Sequence, residues 1–206
     1  MSPLRVLLDV NVWIANFLAR AGGRRGTAVQ KIIAAVASGR WGEGGRPVQL
    51  VISHDMLDTL VAVLRRIGAA TDKAGEYADA IAAIAKAGPE ELDPYLLLGG
   101  SEQFAMADGE DARVLATAFA SRTALLITDN LRDFDSGNTS RIDTRVVARP
   151  SGTRQLYAIR HSGPGADLIV AHPLDVIEWL DQRLDVEPDA LWARISAAGE
   201  TGPSTT

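Results

Sequence analysis

Three short apolar runs, LRVLL at 4–8, VQLVIS at 48–53 and ALLIT at 124–128, stand apart from one another, separated by long segments of helical periodicity. Runs of this length without polar alternation are the pattern of strands buried on both faces, as in parallel sheets covered by helices. Between them, NVWIANFLARAG, TAVQKIIAAVASG, HDMLDTLVAVLRRIG, DKAGEYADAIAAIAKAG and EDARVLATAFASR read as helices. Gly22, Gly23 and Gly39 fall where the first two must end. Ser53 is placed to cap the third, whose Leu57, Leu60, Val61 and Leu64 form one stripe. Strands alternating with helices predict an α/β fold: a parallel sheet with helices on both faces.

After Phe134 the texture changes. DSGNTSRIDT reads as polar loop, RVVAR, RQLYAIRH and DLIVAHP as short strands, and LDVIEWLDQRL and PDALWARISAAG as closing helices. The expected organisation is one domain over residues 1–200, with its core at about 4–134. A strand-rich C-terminal elaboration and the closing helices occupy about 135–198, and 199–206 is expected to be a disordered tail.

Composition narrows the function classes. A hydrophobic content of 47% across 206 residues sustains a sizeable core. With no cysteine there is neither a disulfide framework nor a zinc–thiolate site, which fits a reducing cytoplasm. The N-terminus lacks the pattern of a signal peptide, and no apolar run approaches the roughly 18–20 residues of a membrane helix. A formal charge of −5 argues against a broad basic surface, so contact with nucleic acid must be local.

The carboxylates fall in a pattern. Asp9 closes the first apolar run; Thr128, Asp129 and Asn130 follow the third. Asp111, Val114, Leu115 and Ala118 are spaced i, i+3, i+4, i+7, so that Asp111 heads the helix face turned to the sheet. Ligands of open parallel sheets bind outside the carboxyl ends of the strands, and these segments converge there. Singly, each residue has a plainer role: Asp9 and Asp108 as N-caps, Asp111 as a capping-box partner, Asn130 and Asp133 at a turn. Together, acids with no lysine nearby in sequence repel one another, and a divalent cation is the usual remedy. Oxygen-only ligation suits Mg²⁺ or Mn²⁺, and the matching chemistry is phosphodiester hydrolysis.

LRVLLDVNVWI, LVISHDMLDTLVAVL, MADGEDARVLATAFA and ALLITDNLRDF come in the order and spacing of PIN-domain ribonucleases. The chain most resembles the bacterial toxin-like branch related to VapC toxins, over about residues 4–134, and DVEPDALWARISAAG resembles that branch's closing helix. The resemblance implies a Mg²⁺- or Mn²⁺-dependent endoribonuclease acting as a toxin, with RNA as substrate, a small protein antitoxin as partner, and room for a homodimer. It gives Asp9, Asp111, Asn130 and Asp58 catalytic roles, with Asp9, Asp111 and Asp129 on the metal. Asn11 and Thr128 would position the substrate; apart from the resemblance, Arg24 and Arg25 of RAGGRRG would grip RNA phosphates if the loop after the first helix reaches the same edge. One departure stands out: the family's glutamate register falls on Thr59, leaving Asp58 or Asp55 to stand in. Loss of that acid is compatible with a degenerate domain that binds RNA or a protein without cleaving. Other constellations are poorer. His54, His161 and His172 lack ligand spacing, there is no nucleophile elbow, P-loop or dinucleotide fingerprint, and DVNV lacks the second aspartate of an aspartyl-nucleophile phosphatase.

Overall fold

The computed structural model describes residues 2–200 other than 43, 44, 101, 102, 105, 107, 137, 138, 150, 151 and 164. Six strands form one sheet: β1 (Leu4–Leu8), β2 (Val48–Val51), β3 (Leu125–Ile127), β4 (Ser140–Arg149), β5 (Gly152–Gly163) and β6 (Ala166–Ala171), in the order β2-β1-β3-β6-β5-β4. The helices are α1 (Val10–Ala21), α2 (Ala28–Ala37), α3 (His54–Arg66), α4 (Thr71–Lys86), α5 (Gly109–Ala120), α6 (Pro173–Asp181) and α7 (Pro188–Glu200). Strands β2, β1, β3 and β6 run parallel, whereas β5 and β4 are antiparallel additions at one edge. The fold is therefore mixed α/β, with the expected parallel sheet as its centre.

The apolar runs are buried for the reason their pattern suggests. Every residue of β2 and β3 is buried, and β1 departs only at Arg5, whose guanidinium turns to Glu90 and the Ser121 carbonyl. Helices cover both faces: Met56, Leu57, Leu60 and Leu64 of α3 and Val114, Leu115 and Ala118 of α5 pack into the core. Trp13 of α1 is buried too, its indole N–H donating to the Leu8 carbonyl at 3.1 Å. Ser53 caps α3 by accepting from the Met56 N–H at 3.3 Å.

Three sequence expectations need correction. SRIDT is not loop: β4 begins at Ser140 and runs with RVVAR as one edge strand. A bulge between Asp143 and Arg145 shifts its register against β5, which breaks the alternation that would have marked a strand. DLIVA, grouped with the C-terminal elaboration, belongs to the central sheet, since β6 pairs in parallel with β3. α7 runs to Glu200, two residues into the tail expected from 199; residues 201–206 lie outside the described residues.

Candidate active site at the carboxyl edge of the sheet

The parallel register of β1 and β3 places Asp9 and Thr128 side by side, one residue past Leu8 and Ile127. The Asp9 N–H donates to the Ile127 carbonyl at 2.9 Å, so the ladder continues through the aspartate before α1 begins. Asp9 caps that helix, Oδ1 accepting from the Val10 N–H at 2.6 Å. Its Oδ2 accepts from Asn11 Nδ2 at 2.6 Å and from the Thr128 hydroxyl at 2.7 Å. Asn11 Nδ2 also donates to Thr128 Oγ1 at 2.9 Å, and Asn11 Oδ1 accepts from the Asp129 N–H at 3.2 Å. The Asn130 N–H closes the network on Thr128 Oγ1 at 3.0 Å. Capping is thus one job of Asp9, and it leaves the same carboxylate fixed between two strand ends.

Electrostatics sets this carboxylate apart from an ordinary cap. Asp9 is only 6% exposed, and burial pushes its carboxyl up to about 6 despite the Thr128 and Val10 donors; Glu110 and Asp133 add to the rise. Asp111, in the first turn of α5, is pushed up to about 7, first by burial and then by the charges of Asp9, Asp133, Asp108 and Glu110. Among the described residues no basic side chain forms an ion pair with Asp9 or Asp111. Asp108 caps α5 through the Glu110 N–H at 2.8 Å, and that is its structural role.

Other expected residues are placed differently. Asn130 lies at the edge, but its amide donates to Asp133, so the charge bearing on Asp9 and Asp111 comes from Asp133, one turn on. Asp129 is held from the far side: His172 Nε2 lies 2.6 Å from its Oδ1, and Arg154 donates to its carbonyl at 2.5 Å. His172 Nδ1 accepts from the Leu174 N–H at 3.0 Å as the cap of α6, which assigns the ring proton to Nε2. Asp58 is exposed on α3 and is not a main contributor to either raised carboxyl, while Asp55 pairs with Arg113 of α5 at 3.4 Å. Thr59 is half-buried beside them. Arg24 and Arg25 are exposed beyond the end of α1, and a twelve-residue helix carries them about 18 Å from Asp9. The condition for their gripping RNA beside the carboxylates, that this loop reach the same edge, is therefore not met by the course of α1. Sequence reasoning missed His172 and Arg154 altogether, since only the pairing of β6 and β5 beside β3 brings them to Asp129.

Residues 5–132, more than half of the chain, match the family described as PIN domain. The chain belongs to the PIN domain family. No curated protein and no solved structure matches it. PIN domains are generally nucleases and typically use divalent metals. The donor chemistry fits a hard divalent cation: the mutually repelling carboxyls of Asp9, Asp111 and Asp133 present oxygen alone. Among the described residues no three acids or histidines converge closely enough to hold an ion by themselves. No described helix is long and apolar enough to cross a membrane.

Proposed function

We propose that the protein is a Mg²⁺- or Mn²⁺-dependent endoribonuclease of the VapC-related branch, acting in the cytoplasm as the toxin of a type II toxin–antitoxin pair. The observation that carries the enzymatic part is the placing of strand-end Asp9 and of Asp111 in the first turn of α5 at the carboxyl edge of a PIN domain, where the charge of Asp9 is felt at Asp111 and neither forms an ion pair among the described residues. Asp9 and Asp111 would hold the metal in this reading, with the charge of Asp133 nearby and Asp129 at the rim. When bound, the ion supplies neutralisation of the scissile phosphate and acidification of attacking water. Asn11 and Thr128 hold the Asp9 carboxylate in one orientation, so that little reorganisation is needed when phosphate arrives. Asp133, oriented by the Asn130 amide, adds negative charge that keeps the site selective for cations.

Incubation of the purified protein with RNA in Mn²⁺, Mg²⁺ or EDTA tests the proposal. Cleavage that needs the metal and is lost in Asp9→Asn and Asp111→Asn is expected. Cleavage in EDTA, or in both variants, overturns the site. Growth arrest on expression of the wild type but not of Asp9→Asn, relieved by a small co-encoded protein, tests the toxin role. A second reading, a domain that binds without cleaving, is favoured by Thr59 at the acid's register; binding without cleavage in every metal would establish it.

A further inference from the structure

The family match ends at residue 132, and the hairpin beyond it has a charge unlike that of the rest of the chain. Residues 140–163, which form β4 and β5, carry Arg141, Arg145, Arg149, Arg154 and Arg160 against a single acid, Asp143, in a protein whose formal charge is −5. Such charge asymmetry is the footprint of an anionic partner. The register shows where this hairpin goes. β5 pairs with β6 only from Ile159 to Gly163, whereas its residues 152–158 pair with β4 alone. At about 3.4 Å per residue the hairpin overhangs the carboxyl end of the parallel strands by about 20 Å. It stands beside the crevice that holds Asp9 and Asp111, and Arg154 reaches back to Asp129 at its rim.

The arginines divide into two sets. Arg145 is tied to Asp175 at 2.7 Å and to Glu178 of α6, and Arg160 to Asp167 of β6 and Asp189 of α7; these fasten the hairpin to the elements beside it. Arg141 instead pairs at the surface with Asp143 at 3.1 Å and Asp135 at 3.4 Å, and Arg154 lies 3.4 Å from the exposed Asp129 carboxylate while donating to the Asp129 carbonyl at 2.5 Å. Exposed pairs of this kind contribute little, and a phosphate can replace the carboxylate. The Arg141 guanidinium also lies over the Tyr157 ring, 3.6 Å from its centroid, and the charges of Arg132 and Arg154 are felt at the same tyrosine. A stacked guanidinium and ring among arginines suits unpaired nucleotides, whose bases stack while their phosphates pair.

We propose that the β4–β5 hairpin is an RNA-binding arm that grips single-stranded RNA through Arg141, Arg154 and Tyr157, together with Arg132 from the turn before β4, beside the carboxylate site. This rests on the reading that RNA is the substrate and names where that RNA is held. The occupant is RNA rather than a protein because the arm offers cations and one stack, and Val146 is its one exposed large hydrophobic side chain among the described residues.

The test is the affinity of the full chain for a labelled single-stranded RNA in EDTA, where binding is read apart from cleavage, over a series of KCl concentrations. Arg141→Gln/Arg154→Gln should weaken binding about 10-fold and reduce the slope of log affinity against log salt by about 1.4, the value for two lost phosphate contacts on a single strand. Arg132→Gln, at an exposed position, should reduce the slope by about 0.7 without disturbing the fold. RNA carrying 4-thiouridine should cross-link to peptides of β4 and β5. Unchanged affinity and slope, cross-links elsewhere, or equal binding of a duplex overturns the proposal, and unchanged RNA binding assigns the arm to a protein contact instead. Arm-dependent binding without cleavage in Mn²⁺ would overturn the nuclease reading alone; cleavage indifferent to the arm would overturn the arm alone.

Discussion

The Thr128 hydroxyl donates to Oδ2 of Asp9 at 2.7 Å, joining the ends of two neighbouring parallel strands through a carboxylate that they bury between them. Thr128 Oγ1 in turn accepts from Asn11 Nδ2 and the Asn130 N–H, so a single hydroxyl engages three residues of the edge. Thr128→Val keeps the shape and removes the donor. Its expected cost is about 1–3 kcal/mol of stability together with weaker Mn²⁺ binding, because the Asp9 carboxyl then rises further. Thr128→Ser should restore both. Chemical denaturation and metal titration of the three proteins decide the matter; a valine variant that binds Mn²⁺ like the wild type removes Thr128 from the site.

Raised carboxyls make the metal-free protein sensitive to pH. In the folded chain Asp9 and Asp111 titrate at about 6 and about 7, above the ordinary value of 3.8. The folded state therefore keeps protons that the unfolded chain gives up first. Their stabilising contribution is complete below pH ~4 and is lost as pH rises toward 7, by on the order of 2–3 kcal/mol for the well-buried Asp9. Asp9→Asn/Asp111→Asn lacks this dependence. In EDTA the stability of the wild type relative to the variant should fall between pH 4 and 7 and then level off, while Mn²⁺ at pH 7.5 should raise the melting temperature of the wild type alone. A difference that stays flat with pH would show that neither carboxyl is raised.

Much of this site can be found in the bare sequence, because its residues are fixed by strand ends and helix faces. Asp9 and Thr128 each sit one residue past an apolar run, and Asp111 heads a helical stripe. What was hidden depends on pairing between distant segments. Arg154 and His172 reach Asp129 only because β6 docks beside β3 and β5 beside β6. SRIDT looked like loop because an edge strand with a bulge need not alternate. The Arg24–Arg25 loop looked useful by composition, but the length of α1 carries it away from the carboxylates.

Asp175 is fully buried and held by Thr144 at 2.9 Å and Arg145 at 2.7 Å. Burial still raises its carboxyl, with both partners pulling the other way. Arg145→Ala removes the charged partner and leaves the acid in the interior, for which a loss of about 3–5 kcal/mol is expected. A urea midpoint within experimental scatter of the wild type would mean that solvent compensates Asp175 freely. Because Arg145 ties β4 to α6, the same variant should also expose β4 to proteolysis before the central strands.

Gly163 closes β5 against the ring of Phe119, where an added Cβ would lie 2.3 Å from Cε1. Phe119 itself stacks on Phe104, with ring centroids 5.5 Å apart, so the ring has a neighbour on its other side. Gly163→Ala should therefore destabilise by about 1–3 kcal/mol through overpacking. Gly163→Ala/Phe119→Leu should recover part of that loss, since the smaller side chain removes the clash. Equal losses in the single and double variants would place the strain elsewhere.

The threonine at position 59 offers the sharpest test of how the second block contributes. Asp58 is exposed one residue earlier, Asp55 is occupied with Arg113, and the charges that raise Asp111 come chiefly from its own helix, Asp9 and Asp133. If the site works with these acids alone, Asp58→Asn should leave Mn²⁺ affinity and RNA cleavage within about 2-fold of the wild type. Thr59→Glu adds an oxygen donor where the family resemblance places one, on a half-buried turn of α3. It should strengthen Mn²⁺ binding severalfold and, in EDTA, lower the melting temperature, because another carboxylate joins a cluster that already repels itself. A loss of cleavage in Asp58→Asn would instead make Asp58 the second acid, and an unaltered metal affinity in Thr59→Glu would show that this face of α3 does not reach the ion.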